Sequence, residues 1–506
     1  MKDYYLFTTP RGNRYCFNIA RGELLLCHPV LFEIISVHRR GESAAGWYEK
    51  QLGNGTEAVE CARWNRSEVD YYYRKFRFLK DAGFFTEHDR HAAVSPRLTT
   101  EDVARALRTT SSIAFELTEA CNLRCIYCCY GECYEASKHR SGRHLSPEVA
   151  NILLRYLFDS WATPGSESPR EVTIAFYGGE PLLRVPAIEQ IMQSVRALNE
   201  GSRSLRFKMT TNGLLVGRHA DFLAEHDIEL LISMDGDPKS HSYRVLPDGT
   251  DSHSRVLESV KRLMRRHPAY FRRQVNFNAV FNARSSVDRL YAFFKDNFDK
   301  IPIISPLSFV GADPEHRHKL EDMDGDLQQS VERSKRRPEI AQAMFTRLPP
   351  VSYASIFLVR TYPFQFEQYH ELLSDDSNRQ WLPTGTCMPF VRGLFVTVDG
   401  EILPCERIAH SMVLGQVGPA GVEIDCESIA QRYNACYDQV SQLCEKCHHR
   451  RTCPSCMFEL DHGRADLRCP SYAAEEEFVE YLVDVFGYLE QERWVVSRTL
   501  GEVTVL

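Results

Sequence analysis

Six short apolar runs, separated by segments long enough for a helix, most strongly limit how this chain folds. Buried parallel strands form such runs, and the connection between two parallel strands usually contains a helix. We therefore predict an α/β fold in which six βα units curve into a partial (β/α)6 barrel of the TIM type. Barrel active sites lie at the C-terminal ends of the strands, so the residues after each run are candidates for chemistry. The runs are residues 113–117, 172–176, 205–211, 228–234, 275–281 and 303–309.

Length and composition limit the classes of protein that this sequence fits. A chain of 506 residues exceeds what one hydrophobic core usually organises, which predicts several domains. No apolar run approaches the ~20 residues that cross a bilayer, and the first residues lack the pattern of a signal peptide, so we predict a cytoplasmic protein without a membrane partner. The net charge of -7 argues against a nucleic-acid partner.

Cysteine is the unusual residue in this composition. The chain has 17 cysteines, with five between residues 121 and 133 and nine between residues 387 and 469. In a reducing compartment such clustering favours metal or cluster ligation over disulfides. Structural zinc sites, or disulfides in an exported protein, are the alternatives.

Three cysteines follow the first apolar run at the spacing Cys-x-x-x-Cys-x-x-Cys, namely Cys121, Cys125 and Cys128. Four-iron clusters usually take four cysteine thiolates, so three leave one iron open, whereas a structural zinc ion normally takes four protein ligands. The motif resembles the signature of the radical S-adenosylmethionine (radical SAM) superfamily. The resemblance implies that the open iron binds the amino and carboxylate groups of S-adenosylmethionine. Cys129 and Cys133 lie outside this spacing and are predicted to be loop or core thiols.

Residues at the ends of the next three runs extend this resemblance. Gly178, Gly179 and Glu180 follow the second run and are similar to the segment that accepts hydrogen bonds from the cofactor's amino group. Glycines permit close backbone approach, and a carboxylate is an anionic acceptor for an ammonium. An Asn-Gly or Asp-Gly pair at a strand end is also a common turn. The resemblance implies ribose or carboxylate contacts by Asn212, Ser233 and Arg244, and an adenine contact by Tyr127.

The second group of cysteines begins around a predicted hairpin over residues 396–405. It resembles the SPASM extension of radical SAM enzymes, which holds two auxiliary clusters. The resemblance implies one cluster with four cysteine ligands and another with three. The first set is Cys444, Cys447, Cys453 and Cys469, and the second set is Cys387, Cys405 and Cys456.

The spacing of this second group departs from the SPASM pattern. Only two residues separate Cys453 from Cys456, where the pattern has three, which loosens the ligand assignment. The fourth ligand of the second set could be Cys426, Cys436, a group other than cysteine, or a substrate thiol. A pair of zinc-ribbon knuckles also fits the Cys-x-x-Cys pairs when they are taken alone.

Glu406 is the candidate catalytic base. It directly follows Cys405, where related peptide-modifying enzymes place an acidic residue that accepts a proton from the substrate. A buried carboxylate near the clusters could serve as such a base. The alternative is a charge on the surface of the hairpin.

Residues 1–85 are predicted to form a separate module with strands at 4–8 and 15–19 and helices at 29–37 and 68–82. The module resembles the winged-helix recognition element of maturases that modify ribosomally made peptides. In that element a leader peptide adds a strand to the sheet, by β-augmentation. The resemblance implies a groove formed by residues 23–26 and 71–78. A structural or dimerisation domain is the alternative.

Taken together, the motifs identify the chain as a member of the radical SAM/SPASM peptide maturases. The implied cofactors are S-adenosylmethionine and three [4Fe-4S] clusters, and the implied partners are a precursor peptide and a reduced donor such as ferredoxin or flavodoxin. The predicted domains are a recognition element (1–85), a linker (86–110), a radical SAM barrel (111–310), a helical bridge (311–385), a SPASM domain (386–475) and a C-terminal helix and tail (476–506).

The implied reaction is hydrogen abstraction by a 5'-deoxyadenosyl radical, followed by a thioether, C-C or ether crosslink within the peptide. Epimerisation is a further possible outcome. An anaerobic sulfatase-type maturase and a quinone-cofactor enzyme-subunit maturase share the same architecture. A zinc-bound peptide-binding protein without catalytic activity is the alternative outside enzymes.

Overall fold

The computed structural model contains two sheets, of three and ten strands. The first is antiparallel, with strands β1 (Tyr4–Thr8), β2 (Arg14–Asn18) and β3 (Glu23–Cys27) in that order, and β3 at an edge. Helices α1 (Pro29–Arg39), α2 (Ala44–Gln51) and α3 (Arg66–Asp81) follow. The structure describes residues 3–19, 21–52, 64–85, 97–134, 142–162, 168–361, 384–408, 412–449, 453, 455–460, 469 and 471–503.

The large sheet confirms the predicted series of parallel strands. Six strands lie side by side in chain order, each parallel to the next, as a partial barrel requires. Alternate residues along the first five strands are buried against the surrounding helices, which forms the main core. The strands are β4 (Ser112–Glu116), β5 (Glu171–Tyr177), β6 (Ser204–Thr211), β7 (Glu229–Ser233), β8 (Val275–Val280) and β9 (Ile303–Ser305).

Helices connect these strands and continue beyond them. Those before and within the partial barrel are α4 (Thr100–Thr109), α5 (Pro147–Trp161), α6 (Val185–Asn199), α7 (Ala220–Glu225), α8 (Pro238–His241), α9 (His253–Arg266), α10 (Pro268–Gln274) and α11 (Val287–Phe298). The described part of the predicted bridge contains α12 (Arg317–Met323), α13 (Leu327–Glu332), α14 (Arg337–Met344) and α15 (Val351–Thr361). The predicted linker has residues 97–110 described, and these contain α4; the rest of it lies outside the described residues.

The hairpin that precedes Cys405 continues the barrel sheet. Strands β10 (Leu394–Val396) and β11 (Glu401–Leu403) pair in antiparallel register, which confirms the predicted hairpin. Strand β10 also lies parallel to β4, with Phe395 opposite Ala114. Strands β12 (Gly415–Gly418) and β13 (Gly421–Ile424) complete this side, followed by helices α16 (Cys426–Lys446), α17 (Glu475–Gln491) and α18 (Trp494–Glu502). The pairing puts the hairpin turn level with the end of β4, and β11 then returns toward the start of β4 before Cys405.

The N-terminal module packs tightly against the C-terminal helix α17. Apolar side chains of β1 and β2, including Phe7, share a buried cluster with Phe478 and Phe486 of α17. Glu490 accepts hydrogen bonds from Thr9, Asn13 and Tyr15. Deleting residues 1–85 would therefore expose an apolar face of α17. The predicted domain boundaries themselves stay predictions, as does the winged-helix assignment. Within the described part of the chain, no helix has the length and apolar character needed to span a membrane.

Candidate active site

The loop after β4 carries the three cysteines of the first motif. Cys121, Cys125 and Cys128 are partly buried and close enough to interact electrostatically. Burial raises the pKa of the Cys121 thiol and raises the pKa of the Cys125 thiol to about 12. Cysteine binds metals as the thiolate, so the positive charge of bound iron would have to offset this burial. Three such thiols on one loop fit a four-iron cluster with one iron free of protein ligands.

Two polar side chains from other strands reach these sulfurs. Asn212, which follows β6, places Nδ2 3.6 Å from Cys121 Sγ. Arg244 lies in the segment after β7, and its Nη1 is 4.0 Å from Cys125 Sγ. Hydrogen bonds to cluster sulfurs are among the factors that set a cluster's reduction potential. Both residues therefore lie at the cluster site, while their predicted contacts to S-adenosylmethionine stay predictions.

Asp235 is the central residue of this site that sequence reasoning did not select. It is fully buried and accepts two hydrogen bonds from Arg244, at 3.0 Å each. It also accepts hydrogen bonds from the Tyr127 hydroxyl and from the backbone of Val280, the latter at 3.0 Å. One carboxylate thus joins the cysteine loop, the segment after β7 and β8. Its position just after the fourth apolar run was the available signal.

A second chain of hydrogen bonds fixes the backbone of Arg244. The backbone N-H of Asp235 donates to His241 Nδ1 at 3.3 Å, and His241 Nε2 lies 3.1 Å from Ser252 Oγ. Ser252 in turn donates to the Arg244 carbonyl at 2.5 Å. Burial lowers the pKa of His241 to about 3, so the ring is neutral. Because Nδ1 accepts, the proton is on Nε2 and is donated to Ser252.

The Gly178–Glu180 segment pairs with the chain that leads into Cys121. The backbone N-H of Gly179 donates to the Thr118 carbonyl at 2.7 Å, and that of Glu180 to the Ala120 carbonyl at 2.9 Å. These bonds fix the segment beside the start of the cysteine loop. The predicted contact of this segment with the cofactor's amino group stays a prediction.

The Glu180 carboxylate holds the end of β6. It is fully buried and accepts hydrogen bonds from Thr211 Oγ1 at 2.8 Å and from the backbone of Asn212 at 2.9 Å and Leu182 at 3.0 Å. Burial raises the pKa of Glu180 to about 6, while these donors lower it. The carboxylate therefore positions Asn212, which lies against Cys121. Its predicted role as an acceptor for an ammonium stays a prediction.

We expect Gly178→Ala to disrupt this pairing. Gly178 has φ +121°, and an added Cβ would lie 2.4 Å from the Thr118 carbonyl oxygen that accepts from Gly179. The free energy of unfolding of the cluster-free chain should fall by more than in Gly201→Ala, for which ~1–2 kcal/mol is expected from backbone strain alone. Gly201 has φ +74° and no atom within 4 Å of the added Cβ, so it is a matched control. Equal losses in urea titrations of the two variants would contradict this expectation.

Glu116 joins the cysteine loop to the hairpin. This buried residue at the end of β4 accepts hydrogen bonds from the Tyr130 hydroxyl at 2.5 Å and from the backbone of Val398 at 3.0 Å. Tyr130 follows the cysteine motif, and Val398 precedes the hairpin turn. The arrangement couples the positions of the two cysteine groups, and no local sequence pattern predicted it.

The two remaining single-residue predictions have little support from geometry. Ser233 ends β7 and is partly buried, next to Asn278 of β8. Glu406 is exposed and lies 3.9 Å from Arg407, which favours the alternative of a charge on the surface of the hairpin. Glu406 does interact electrostatically with Tyr177, which also lies close to Cys128. Its role as a base stays a prediction.

The C-terminal cysteines lie in two neighbourhoods that share Cys456. Those of the first set interact electrostatically and line one cavity, which Cys456 also lines. Those of the second set each interact electrostatically with Tyr433 of α16. The ligand assignments stay predictions. Among the residues that the structure describes, no three Cys, His, Asp or Glu side chains form a site for a single metal ion, and no two cysteines form a disulfide.

The sequence of the barrel region matches a known family. Residues 115–271 match the model of the radical SAM superfamily, so the chain contains a radical SAM domain. This domain implies a [4Fe-4S] cluster and S-adenosylmethionine. The chain is also related to anaerobic sulfatase-maturating enzymes and to a radical SAM cyclopropyl synthase.

Three relatives show how far the similarity extends. The cysteine-type anaerobic sulfatase-maturating enzyme of Clostridium novyi is 25% identical over 221 residues, 42% of this chain and 55% of that protein. That of Clostridium perfringens (strain ATCC 13124) is 24% identical over 396 residues, 72% of this chain and 94% of that protein. Radical SAM cyclopropyl synthase TigE of Paramaledivibacter caminithermalis is 24% identical over 178 residues, 34% of this chain and 35% of that protein.

The matched segments thus span about half of the Clostridium novyi enzyme and a third of the cyclopropyl synthase. Among solved structures, native anSMEcpe with bound AdoMet superposes with a TM-score of 0.47 at 19% identity. The superposition covers 78% of this chain and 100% of that chain.

Proposed function

We propose that this protein is a radical SAM/SPASM peptide maturase that installs an intramolecular crosslink in a ribosomally made precursor peptide. The observation that carries the proposal is the position of Tyr177 at the end of β5. Its ring lies 5.9 Å from that of Phe395 on β10, and it interacts electrostatically with Cys128 of the first motif and with Glu406, which directly follows Cys405. A redox group held by Cys405 near the radical site would give the surplus electron of a crosslinking reaction a destination.

The residues of the barrel hold and orient the cofactors in this proposal. When bound, the [4Fe-4S] cluster and S-adenosylmethionine supply a 5'-deoxyadenosyl radical, with an electron from a reduced donor such as ferredoxin or flavodoxin. Cys121, Cys125 and Cys128 hold the cluster, and Asp235 fixes Arg244 and, with it, Tyr127 beside the site. The strand ends around this site orient the substrate and exclude water that would quench a radical.

A crosslink removes two hydrogens from the peptide. One leaves as a hydrogen atom to the radical, and the other leaves as a proton and an electron when the new bond forms. We propose that Glu406 accepts the proton, and an auxiliary cluster held by the C-terminal cysteines would supply an acceptor for the electron. The interaction of Glu406 with Tyr177, which also interacts with Cys128, supports this role. Its exposure gives the proton a route to solvent.

The N-terminal module is proposed to bind the leader of the peptide. Its edge strand β3 exposes Leu24 and Leu26, and helix α3 exposes Tyr71 and Phe78. An unpaired edge strand beside apolar side chains fits β-augmentation by an extended peptide. Stacking of His28 on Tyr72, with centroids 4.3 Å apart, brings the end of β3 against α3.

We expect Leu26→Asp to weaken binding of a short precursor peptide by at least tenfold, because Leu26 is 64% exposed on the proposed groove. A tenfold loss corresponds to about 1.4 kcal/mol. Fluorescence anisotropy with the labelled leader measures it. Leu500→Asp is the control, since Leu500 is also an exposed apolar residue but lies on α18. Equal affinities in both variants would rule out this groove.

The reaction is tested by anaerobic coexpression with the same short peptide, followed by mass spectrometry. A peptide lighter by about two hydrogens supports the crosslink. An unchanged mass contradicts it and points to epimerisation or to another substrate. Iron analysis of the reconstituted chain should give about twelve irons, as three four-iron clusters require. Bound zinc in place of iron would instead support a peptide-binding protein without radical chemistry.

Sulfatase maturation is the second candidate function. It is favoured by the match that covers 94% of the Clostridium perfringens enzyme. Sulfatase maturation would be supported over crosslinking if the protein oxidised a cysteine in a sulfatase-derived peptide and left the short precursor peptide unmodified.

A further inference from the structure

Helix α16 extends past both groups of auxiliary cysteines. Tyr433 and Tyr437 lie four residues apart on its buried face. Nearer the end of the helix, Val440 and Cys444 line the cavity of the other cysteine group. The face of α16 therefore connects the two proposed auxiliary sites, with tyrosines at one and a ligand at the other.

The hydroxyls of Tyr433 and Tyr437 are buried without hydrogen-bond partners among the residues that the structure describes. The two side chains are 0% and 3% exposed. Buried tyrosine hydroxyls usually find a partner, because leaving a polar group unpaired in the interior is unfavourable. Two such groups on one helix face indicate a partner that is not part of the described chain.

The thiols around these phenols indicate what that partner is. Tyr433 interacts electrostatically with Cys456, Cys405 and Cys387, which are the three cysteines of the second auxiliary set. Tyr437 interacts with Cys456, with its neighbour Cys436 and with Cys387. Both phenols therefore face the group of thiols proposed to hold the cluster with an open fourth position.

We propose that Tyr433 and Tyr437 donate O-H···S hydrogen bonds to the auxiliary cluster held by Cys387, Cys405 and Cys456. This inference rests on the proposed function, which requires that cluster. Thiolate and sulfide sulfurs carry negative charge, and hydrogen bonds to charged acceptors are the stronger ones. Both tyrosines act here as positioning residues that tune the cluster, and neither is a ligand to iron.

Two physical arguments support donation over ligation. A phenol is an O-H donor, and both hydroxyls lie buried with no other acceptor among the described residues. Hydrogen bonds to the sulfurs stabilise the more negative, reduced cluster and so raise its reduction potential. A raised potential makes this cluster a better acceptor for the electron that crosslinking releases.

The test compares the cluster's potential in the full-length, anaerobically reconstituted wild type and in Y433F, Y437F and the double variant. We expect about twelve irons in every chain and a lower midpoint potential for one cluster in each single variant, with a larger fall in the double variant. A tenfold change in the one-electron equilibrium corresponds to about 59 mV. Redox titration followed by electron paramagnetic resonance measures it. Tyr353→Phe, on α15, is the control and should leave every potential unchanged, since Tyr353 is half exposed on a helix without cluster cysteines.

A second measurement detects the hydrogen bonds to the cluster directly in the wild type. Exchange into D2O should shift the Fe-S vibrations of the wild-type auxiliary cluster in resonance Raman spectra, and the shift should be smaller in Y433F. Unchanged potentials and no deuterium shift in a chain with twelve irons would overturn the inference alone. Loss of about four irons in Y433F would overturn it in favour of a ligand role. A wild type with only about four irons would overturn both this inference and the proposed function.

Discussion

Cys125→Ala is expected to remove about four irons per chain and to reduce the formation of 5'-deoxyadenosine to background. With Cys125 replaced, the loop offers two thiolates to a cluster that needs at least three. The cysteines after residue 386 lie on other elements, so about eight irons should remain. Iron analysis and anaerobic chromatography of S-adenosylmethionine products measure the two effects. We expect both the loss of this cluster's irons and the loss of 5'-deoxyadenosine formation to be complete.

Cys129→Ala is the matched control for this experiment. Cys129 directly follows the motif, is exposed, and lies outside the three-cysteine spacing. It should keep about twelve irons and form 5'-deoxyadenosine at nearly the wild-type rate. Equal loss of iron in both variants would mean that Cys129 is a ligand. Full iron content and product formation in Cys125→Ala would contradict the radical SAM reading of the motif.

The barrel strands could be predicted because their signal is local. Each buried strand needs an apolar run of its own, so the predicted runs and observed strands agree within a few residues. The last strand is the exception, since β9 ends at Ser305 although the run extends to residue 309. Pro306 follows Ser305 directly, and proline has no N-H to donate to the sheet. The apolar residues after Pro306 therefore lie outside the sheet.

The pairing of β10 with β4 could not be predicted from sequence. It joins Phe395 to Ala114, and no local pattern records which distant strand covers a sheet edge. The same holds for Glu116, which links Tyr130 to Val398 only after the hairpin has docked. The motif therefore predicted which residues carry the chemistry, whereas the distance between the two cysteine groups required the fold.

Buried polar networks were the other feature that the sequence did not reveal. The Gly-Gly-Glu and Asn-Gly segments predict cofactor contacts. In the structure the backbone N-H of Asn212 also donates a hydrogen bond to the Glu180 carboxylate. The sequence does not single out Asp235, because an Asp-Gly pair at a strand end is usually a turn. Only the structure shows that its carboxylate pairs with Arg244 and Tyr127.

Asp235→Asn is expected to lower the free energy of unfolding of the cluster-free chain by about 3–5 kcal/mol, because it leaves the buried Arg244 without its counter-ion. The side chains of the pair are 0% and 8% exposed, so water cannot replace the lost charge. The new amide also places a donor among Arg244, Tyr127 and the Val280 N-H, which all donate. Urea titrations under reducing conditions measure the loss, and binding of S-adenosylmethionine should weaken with it.

Asp221→Asn provides the matched control, because Asp221 pairs with Arg266 at 2.5 Å but the two side chains are 61% and 55% exposed. An exposed pair contributes little to the free energy of unfolding, since solvent screens it. Adding Arg244→Met to Asp235→Asn should recover part of the stability, because it removes the unpaired buried charge. It should not restore cofactor binding, since the guanidinium beside Cys125 is gone. A loss no larger than that of Asp221→Asn would show that the buried pair does not hold this site together.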